Sequence, residues 1–263
     1  MFDKLIFKTF GGTKLEQKLI RCQSYTVNNI YKWKQQTNLT WKETFKFLKN
    51  IHVFDAAKIR EVLEDIVERN PEICNQNDLY ITSFGSEGKS GGNISYELRH
   101  TNLFSSNKFI ESWKLQELPE GSTIIFVEDL IGTGSQSTEY ITEKLNLLLN
   151  PSYKTYLLTI CATPEGISKV EEETNFSVIN GILLEENIYQ NYTENCNNFN
   201  HKEKEKLKFL NNRLKNNVNA DYDRGLLVTF FYSPPNNSMP ILWKDGYKYD
   251  DNKEWHALIP RQY

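Results

Sequence analysis

The sequence predicts an α/β domain with a mostly parallel sheet, preceded by a helical region. Three patterns indicate this class. Continuous apolar runs at residues 123–127 and 156–160 are typical of strands that are buried on both faces. Segments with helical spacing of apolar residues alternate with such runs, and this alternation favours a parallel sheet. The first third of the chain shows helical patterns instead.

We predict that residues 1–77 form the helical region and that residues 78–263 form the α/β domain. The sequence Thr-Trp-Lys-Glu that begins at Thr40 has the spacing of a capping box, so a helix should start there. Asp55 is a suitable N-cap for a second helix, and Pro71 follows the apolar stripe of that helix.

The α/β region alternates strand patterns with helix patterns. The predicted strands are residues 79–82, 123–127, 156–160, 176–184 and 225–231. The predicted helices are residues 94–103, 141–148, 164–173 and 201–216. This order predicts a sheet whose ligand-binding loops follow the strands.

The composition excludes several classes of protein. The chain has 263 residues, of which 39% are hydrophobic and 25% charged, and these values exclude a disordered or collagen-like chain. The net charge of −3 gives no overall basic field for nucleic acid or an acidic membrane, although a local basic patch stays open. We expect a cytoplasmic protein, because the chain lacks an apolar run of about 18 residues and a signal-peptide core. The four cysteines have no CxxC spacing, so we expect buried thiols.

Residues 124–137 are the most informative segment for function. An apolar run is followed by the adjacent carboxylates Glu128 and Asp129. The small-residue loop after them consists of Gly132, Thr133, Gly134, Ser135, Gln136 and Ser137. Glycines and a helix N-terminus favour a bound phosphate, whereas two carboxylates need hydroxyl groups or a cation as partners. A ribose 5-phosphate with Mg²⁺ meets both demands.

This segment resembles the phosphoribosyl-pyrophosphate (PRPP) motif of the type I phosphoribosyltransferases. The resemblance covers about residues 78–232 and implies a phosphoribosyltransferase-like, Rossmann-like fold. It implies that Glu128 and Asp129 hold the ribose hydroxyls and contact Mg²⁺ indirectly through them. It also implies that residues 132–137 bind the 5-phosphate, with Gln136 in place of the usual Thr or Ser.

The glycine-rich segment after the first strand fits the same resemblance. Its residues Gly85, Ser86, Glu87, Gly88, Lys89 and Ser90 occupy the place of the family's pyrophosphate-binding loop. Backbone N–H groups would hold the diphosphate there. The resemblance implies that Lys89 neutralises the diphosphate and acts as a catalytic residue with Glu128 and Asp129.

A P-loop NTPase is an alternative interpretation of the same residues. Residues 83–90 nearly match the pattern GxxxxGK[ST], with Ser83 in place of the first glycine. Gly91 and Gly92 speak against this alternative, because they should disrupt the helix that a P-loop opens. The small-residue loop at 132–137 would also have no role in it.

The segment 233–243 follows the last predicted strand and has the sequence Ser-Pro-Pro-Asn-Asn-Ser-Met-Pro-Ile-Leu-Trp. It resembles the end of phosphoribosyltransferase-like proteins from bacterial conflict (anti-phage) systems. We expect a lid near the ligand in which Asn236 and Asn237 contact a base edge and Trp243 stacks on the base. The alternative is a rigid structural lid that packs Leu242 and Trp243 onto the core.

The resemblance implies an enzyme that uses PRPP or a related ribose-5-phosphate nucleotide with Mg²⁺. Such an enzyme would transfer or hydrolyse the phosphoribosyl group, as an effector in antiviral defence. A second hypothesis is a non-catalytic module that senses the nucleotide and acts through a protein partner from a defence operon. The acidic pair and Lys89 favour catalysis. The oligomeric state and binding to nucleic acid stay open.

Overall fold

The computed structural model describes residues 2–9, 11–85, 90–215, 223–246, 248–249 and 253–261. Its α-helices are α1 (Phe2–Thr9), α2 (Gly12–Leu19), α3 (Val27–Thr37), α4 (Trp41–Asn50), α5 (Ala56–Arg69), α6 (Pro71–Cys74), α7 (Ser90–His100), α8 (Ser135–Glu143), α9 (Pro164–Glu173), α10 (Glu186–Tyr189), α11 (His201–Lys215) and α12 (Pro240–Trp243). Its strands are β1 (His52–Phe54), β2 (Leu79–Ser83), β3 (Thr123–Ile131), β4 (Lys154–Ala162), β5 (Ser177–Leu183), β6 (Val228–Phe230), β7 (Lys248–Tyr249) and β8 (Lys253–Glu254). Short 3₁₀ helices span Ser106–Lys108, Ser112–Glu117 and Leu145–Leu147.

The chain forms two compact units. The α/β unit is Ala56–Leu184, and the discontinuous unit combines Met1–Asp55 with Glu185–Tyr263. These boundaries differ from the predicted division at residues 77 and 78, because α5 packs on α7 and β5 of the α/β unit. The functional division into a helical region and a phosphoribosyltransferase-like region stays a prediction.

The α/β unit contains a four-stranded parallel sheet in the order β2-β3-β4-β5. Helix α7 packs on β2 and β3, and α9 packs on α8 and β5. One face of the sheet contributes to an apolar core that includes Phe84, Phe126 and Ile141. This architecture confirms the predicted α/β class with a parallel sheet.

Among the ends of the predicted strands, the carboxyl end of β3 lies furthest from its predicted position, at residue 131 instead of 127. All nine of its residues are buried, and pairing with β4 continues to the pair of Ile131 and Ala162. Glu128 and Asp129 therefore lie inside the strand rather than after it. The length of β3 could not be predicted from its apolar run, because backbone pairing with β4 continues beyond the residue where the side chains become acidic.

Most other predicted elements occur with shifted ends. The predicted capping box is present, with Thr40 accepting from the N–H of Glu43 at the start of α4. Helix α9 has the predicted bounds. Helices α7 and α8 begin several residues earlier than their apolar stripes suggest, because their first turns are built from small polar residues.

The discontinuous unit contains a strand that the sequence patterns did not indicate. Strand β1 pairs in parallel with β6, and His52 lies opposite Val228. The predicted late strand thus forms a separate two-stranded sheet. Aromatic residues such as Trp33, Phe47 and Trp255 fill the core of this unit. Three-residue strands have too few side chains to show a period of two.

Two further expectations can be compared with the structure. All four cysteines are buried and free of disulfides, as predicted. None of the helices in the described part of the chain is long and apolar enough to cross a membrane.

Candidate functional site

The carboxyl ends of β2, β3 and β4 bring three segments of the α/β unit to the same edge of the sheet. The N–H of Phe84 donates to Val127 (2.9 Å), and the N–H of Thr163 donates to Ile131 (3.0 Å). Helices α7, α8 and α9 each begin at this edge. Ligands of open α/β sheets bind outside the carboxyl ends of the strands, so this edge is the candidate site.

The acidic pair is buried and hydrogen-bonded at this edge. Glu128 and Asp129 are each 8% exposed. The Ser90 hydroxyl donates to Oε1 of Glu128 (2.7 Å), and the backbone N–H of Asp129 donates to the same oxygen (2.9 Å). The N–H of Leu130 donates to Oδ1 of Asp129 (2.7 Å). These contacts hold both carboxyl groups in place within β3.

The electrostatics of the pair oppose double ionisation. Burial raises the pKa of Glu128 well above its ordinary value, and the neighbouring charge of Asp129 raises it further. The hydrogen bond from Ser90 acts in the opposite direction and is outweighed. The pair therefore favours keeping a proton until donors or a cation arrive.

The predicted phosphate loop is a tight connection between β3 and α8. Gly134 has φ of +78°, and a Cβ there would lie 2.8 Å from the carbonyl oxygen of Gly166. The backbone N–H of Ser135 donates to the Thr133 hydroxyl (3.3 Å). Ser137 is buried in the first turn of α8, whereas Gln136 is exposed. The first turn of a helix leaves backbone N–H groups without helical acceptors, which suits a phosphate.

Helix α9 supports this loop from the side. The Thr163 hydroxyl donates to the carbonyl oxygen of Gly132 (2.5 Å) and accepts from the N–H of Gly166 (3.0 Å). A Cβ on Gly166 would overlap with the carbonyl oxygen of Gly132. One turn further along α9, Nζ of Lys169 donates to Oγ of Ser135 (3.1 Å).

Sequence analysis missed Lys169 as a residue of the site. Gly166 and Lys169 are three positions apart, so both lie on the same face of α9. This spacing, in a helix that follows the carboxyl end of a strand, could have identified the lysine.

The predicted pyrophosphate loop is described only at its ends. Gly85 has φ of +88°, and Ser90 begins α7. Ser86, Glu87, Gly88 and Lys89 lie outside the described residues.

The expectation that Gly91 and Gly92 disrupt a helix is wrong. Both lie in the first turn of α7. Gly91 is buried, and a Cβ there would lie 2.5 Å from the carbonyl oxygens of Phe84 and Val127. The close approach of α7 to the strand ends thus explains a glycine in a helix.

At least one residue from each of the three predicted subsites lines a cavity of about 240 Å³. Ser90 from the pyrophosphate loop, Glu128 from the acidic pair and Gln136 from the phosphate loop all line it. The rings of Phe84 and Tyr140 also line it and contact each other edge to face, with centroids 5.0 Å apart.

The predicted lid residues lie in the discontinuous unit. Trp243 is 3% exposed, and its indole N–H donates to the carbonyl oxygen of Ser238 (2.9 Å). The guanidinium of Arg261 lies 4.4 Å from the centroid of this ring and also donates to Oδ1 of Asn236. The carbonyl oxygen of Asn237 accepts from the N–H of Arg224 (3.2 Å). The base contacts of these lid residues stay predictions.

Several solved structures are similar to about half of the chain. Orotate phosphoribosyltransferase from Aeropyrum pernix is 14% identical over 49% of this chain and 70% of its own, with a TM-score of 0.35. Xanthine-guanine-hypoxanthine phosphoribosyltransferase from Helicobacter pylori is 13% identical over 51% of this chain and 91% of its own, with a TM-score of 0.35. The adenine phosphoribosyltransferase (APRTase) from Giardia lamblia, complexed with 9-deazaadenine, is 13% identical over 48% of this chain and 80% of its own, with a TM-score of 0.33.

Comparison with protein families is decisive for the assignment. No curated protein matches the chain. The family PRTase-CE, whose name abbreviates phosphoribosyltransferase, matches residues 30–261. The match begins well before residue 78, where the sequence resemblance was placed, and includes both compact units. With most of its length matched, the chain belongs to the PRTase-CE family.

Proposed function

We propose that the chain binds PRPP or a related ribose-5-phosphate nucleotide and transfers or hydrolyses its phosphoribosyl group. One observation supports this most strongly. Ser90, Glu128 and Gln136, which sequence analysis assigned to three different subsites of one ligand, line a single cavity. The P-loop alternative gives no role to the loop that contains Gln136, and the family assignment favours the phosphoribosyl ligand.

The acidic pair would bind the ribose. Two ribose hydroxyls donate hydrogen bonds, and ionised carboxylates only accept them. Hydroxyl donors would lower the pKa of Glu128, because hydrogen bonds to the charged form favour it. Glu128 and Asp129 would then stabilise positive charge as it develops on the ribose ring.

The two glycine-containing loops would bind the ends of the ligand. Residues 132–137 offer backbone N–H groups and hydroxyls to the 5-phosphate. The loop that ends at Ser90 would hold the pyrophosphate, with Lys89 as its cation. Departure of pyrophosphate from C1 needs charge stabilisation more than acid–base groups, so this arrangement suits the reaction.

The residues fit a Mg²⁺ ion that arrives with the ligand. In the described part of the chain, no cluster of three or more His, Cys, Asp or Glu side chains could hold a metal. Glu128 and Asp129 are adjacent buried carboxylates whose repulsion a cation would relieve. Mg²⁺ commonly takes one or two carboxylates together with substrate phosphates and water. When bound, it neutralises charge on the departing pyrophosphate.

Two biological roles are compatible with the proposed ligand, a catalytic effector and a sensing module. A toxic effector in antiviral defence would consume its substrate, whereas a sensing module would bind it and act through a protein partner. The buried acidic pair favours catalysis, because it matches a charge that develops only during reaction. Release of pyrophosphate from PRPP distinguishes the two roles.

Calorimetric titration with PRPP and Mg²⁺ tests the proposal, with ATP as a second ligand. We expect the wild type to bind PRPP, and Asp129→Asn to weaken binding at least about tenfold, because a charged acceptor of hydroxyl donors is lost. Glu172→Gln, which removes an exposed carboxylate of α9, is the matched control and should bind normally. Binding of ATP without PRPP would contradict the proposal and favour the P-loop interpretation.

A further inference from the structure

We propose that Lys169 is the cation of the 5-phosphate subsite and makes the site selective for phosphorylated ribosyl ligands. This inference rests on the proposed function, since it concerns the loop at residues 132–137. It assigns a charged residue to a loop that otherwise offers only neutral donors in its own sequence. Lys169 comes from α9, a different helix from the one that the loop opens.

The position of the Lys169 ammonium is set by the packing of α9 against the loop. Nζ lies 3.1 Å from Oγ of Ser135, the first residue of α8. Thr163 and Gly166 contact the backbone of Gly132, which holds the start of α9 against the loop. A Cβ on Gly134 would lie 3.1 Å from Cβ of Lys169, so the lysine stem runs beside the loop.

The contact with Lys169 also orients the Ser135 hydroxyl. A lysine ammonium only donates hydrogen bonds, so Oγ of Ser135 is the acceptor. The hydroxyl hydrogen of Ser135 has no acceptor within the described ranges of the chain. It therefore stays available for a phosphate oxygen, and the same oxygen would come close to the ammonium. Charge-assisted hydrogen bonds of this kind are about twice as strong as neutral ones.

The ion pair of Lys169 with Glu173 is too weak to neutralise the ammonium group. Glu173 lies 4.0 Å from Nζ, and its side chain is 54% exposed. An exposed i,i+4 pair at this distance is weak and screened by salt, so a phosphate dianion would compete well for the ammonium.

Gln136 explains why an additional cation is useful here. The resemblance places a Thr or Ser near this position, and its hydroxyl would donate to the phosphate. In this chain Gln136 occupies that position and is one of the residues that line the cavity. Lys169 approaches the first turn of α8 at Ser135 and would add a positive charge that neither a hydroxyl nor the Gln136 amide supplies.

Competition calorimetry separates this role from a structural one. PRPP with Mg²⁺ is titrated alone, and then in the presence of ribose 5-phosphate or of inorganic pyrophosphate. For Lys169→Met we expect about tenfold weaker binding of PRPP and of ribose 5-phosphate, because both present the 5-phosphate. Pyrophosphate should compete as it does in the wild type. Lys169→Arg should restore most of the affinity, because it keeps the charge.

The matched control is Lys154→Met, which removes an exposed lysine at the amino end of β4. Binding of PRPP by Lys169→Met within twofold of the wild type would overturn the inference while leaving the proposed function intact. Equal weakening of both competitors would also overturn it, because that result indicates a structural role. Failure of the wild type to bind PRPP would refute the proposed function, and the inference would fall with it.

Discussion

Two segments that sequence analysis assigned to ligand binding differ in what their polar and aromatic groups contact. The segment around Glu128 and Asp129 lies within strand β3 of the parallel sheet, and Glu128 lines a cavity. The segment 233–243 places Trp243 in the interior of the discontinuous unit, with the indole N–H and one ring face already engaged. In the first segment burial and the charge of Asp129 raise the pKa of Glu128, whereas in the second the indole of Trp243 is hydrogen-bonded and packed within its own unit.

This difference separates the segment that we propose to bind a ligand from a segment whose Trp243 is packed inside its own unit. Burial and the charge of Asp129 raise the pKa of Glu128, and this shift supports the proposal that the first segment binds a ligand. In the lid segment Arg261 donates to Asn236 and lies over the ring of Trp243, whose indole N–H donates to Ser238. The buried ring of Trp243 therefore packs in the core of its own unit.

The largest expected effect tests the packing interpretation of Trp243. We expect Trp243→Ala to lower the free energy of unfolding by about 3–5 kcal/mol, because it leaves a cavity and an unpaired Ser238 carbonyl. Chemical denaturation with the intact chain measures this. Trp113→Ala, which removes an indole that is 64% exposed, is the control and should change stability by less than about 1 kcal/mol.

An unchanged stability of Trp243→Ala would contradict the packing interpretation of Trp243. The hypothesis that Trp243 stacks on a base, with Asn236 and Asn237 nearby, would then gain support. Loss of base-dependent turnover in such a variant, with PRPP affinity unchanged, would complete that case.

The next effect concerns the close packing that builds the binding edge. Gly91→Ala should cost about 1–3 kcal/mol, because the added Cβ would lie 2.5 Å from two backbone carbonyl oxygens. Relief of this contact would move the start of α7 and the Ser90 hydroxyl. We therefore expect weaker PRPP binding together with the loss of stability, measured by calorimetry and denaturation on the same samples.

Gly92 provides a matched control for Gly91. A Cβ at Gly92 has no atom within 4 Å, and the residue lies in the same helical turn. Gly92→Ala should stabilise the chain by up to about 1 kcal/mol through helix propensity. Equal effects of the two substitutions would show that the backbone approach at Gly91 is not a constraint.

Local patterns were sufficient to predict the α/β class, the capping box at Thr40 and the four strands of the parallel sheet. They were sufficient because apolar period and turn residues act over a few positions. The predicted end of β3 was wrong, because backbone pairing with β4 decides where this strand ends. The prediction that Gly91 disrupts a helix was wrong for a similar reason. A glycine is needed there because α7 approaches the backbone of Val127, which is distant in sequence.

The candidate site shows the same limit. The acidic pair and the loop at residues 132–137 were predicted because they lie within one continuous motif. Lys169 could not be predicted from that motif, because it reaches Ser135 across 34 positions of sequence. Pairing of β1 with β6 was missed likewise, since it joins strands that are far apart in sequence.

The smallest expected effect concerns the ionisation of the acidic pair. A carboxyl group whose folded pKa is raised stabilises the fold below its ordinary pKa, and this contribution is lost as the pH rises through the folded pKa. Glu128→Gln mimics the protonated form and can still accept from Ser90. Without ligand, Glu128→Gln should match the wild type in Tm near pH 4 and exceed it increasingly toward alkaline pH. Glu172→Gln should show no such trend. A difference in Tm that is independent of pH would mean that Glu128 already has a compensating cation, and the acidic pair would then resemble the satisfied lid segment.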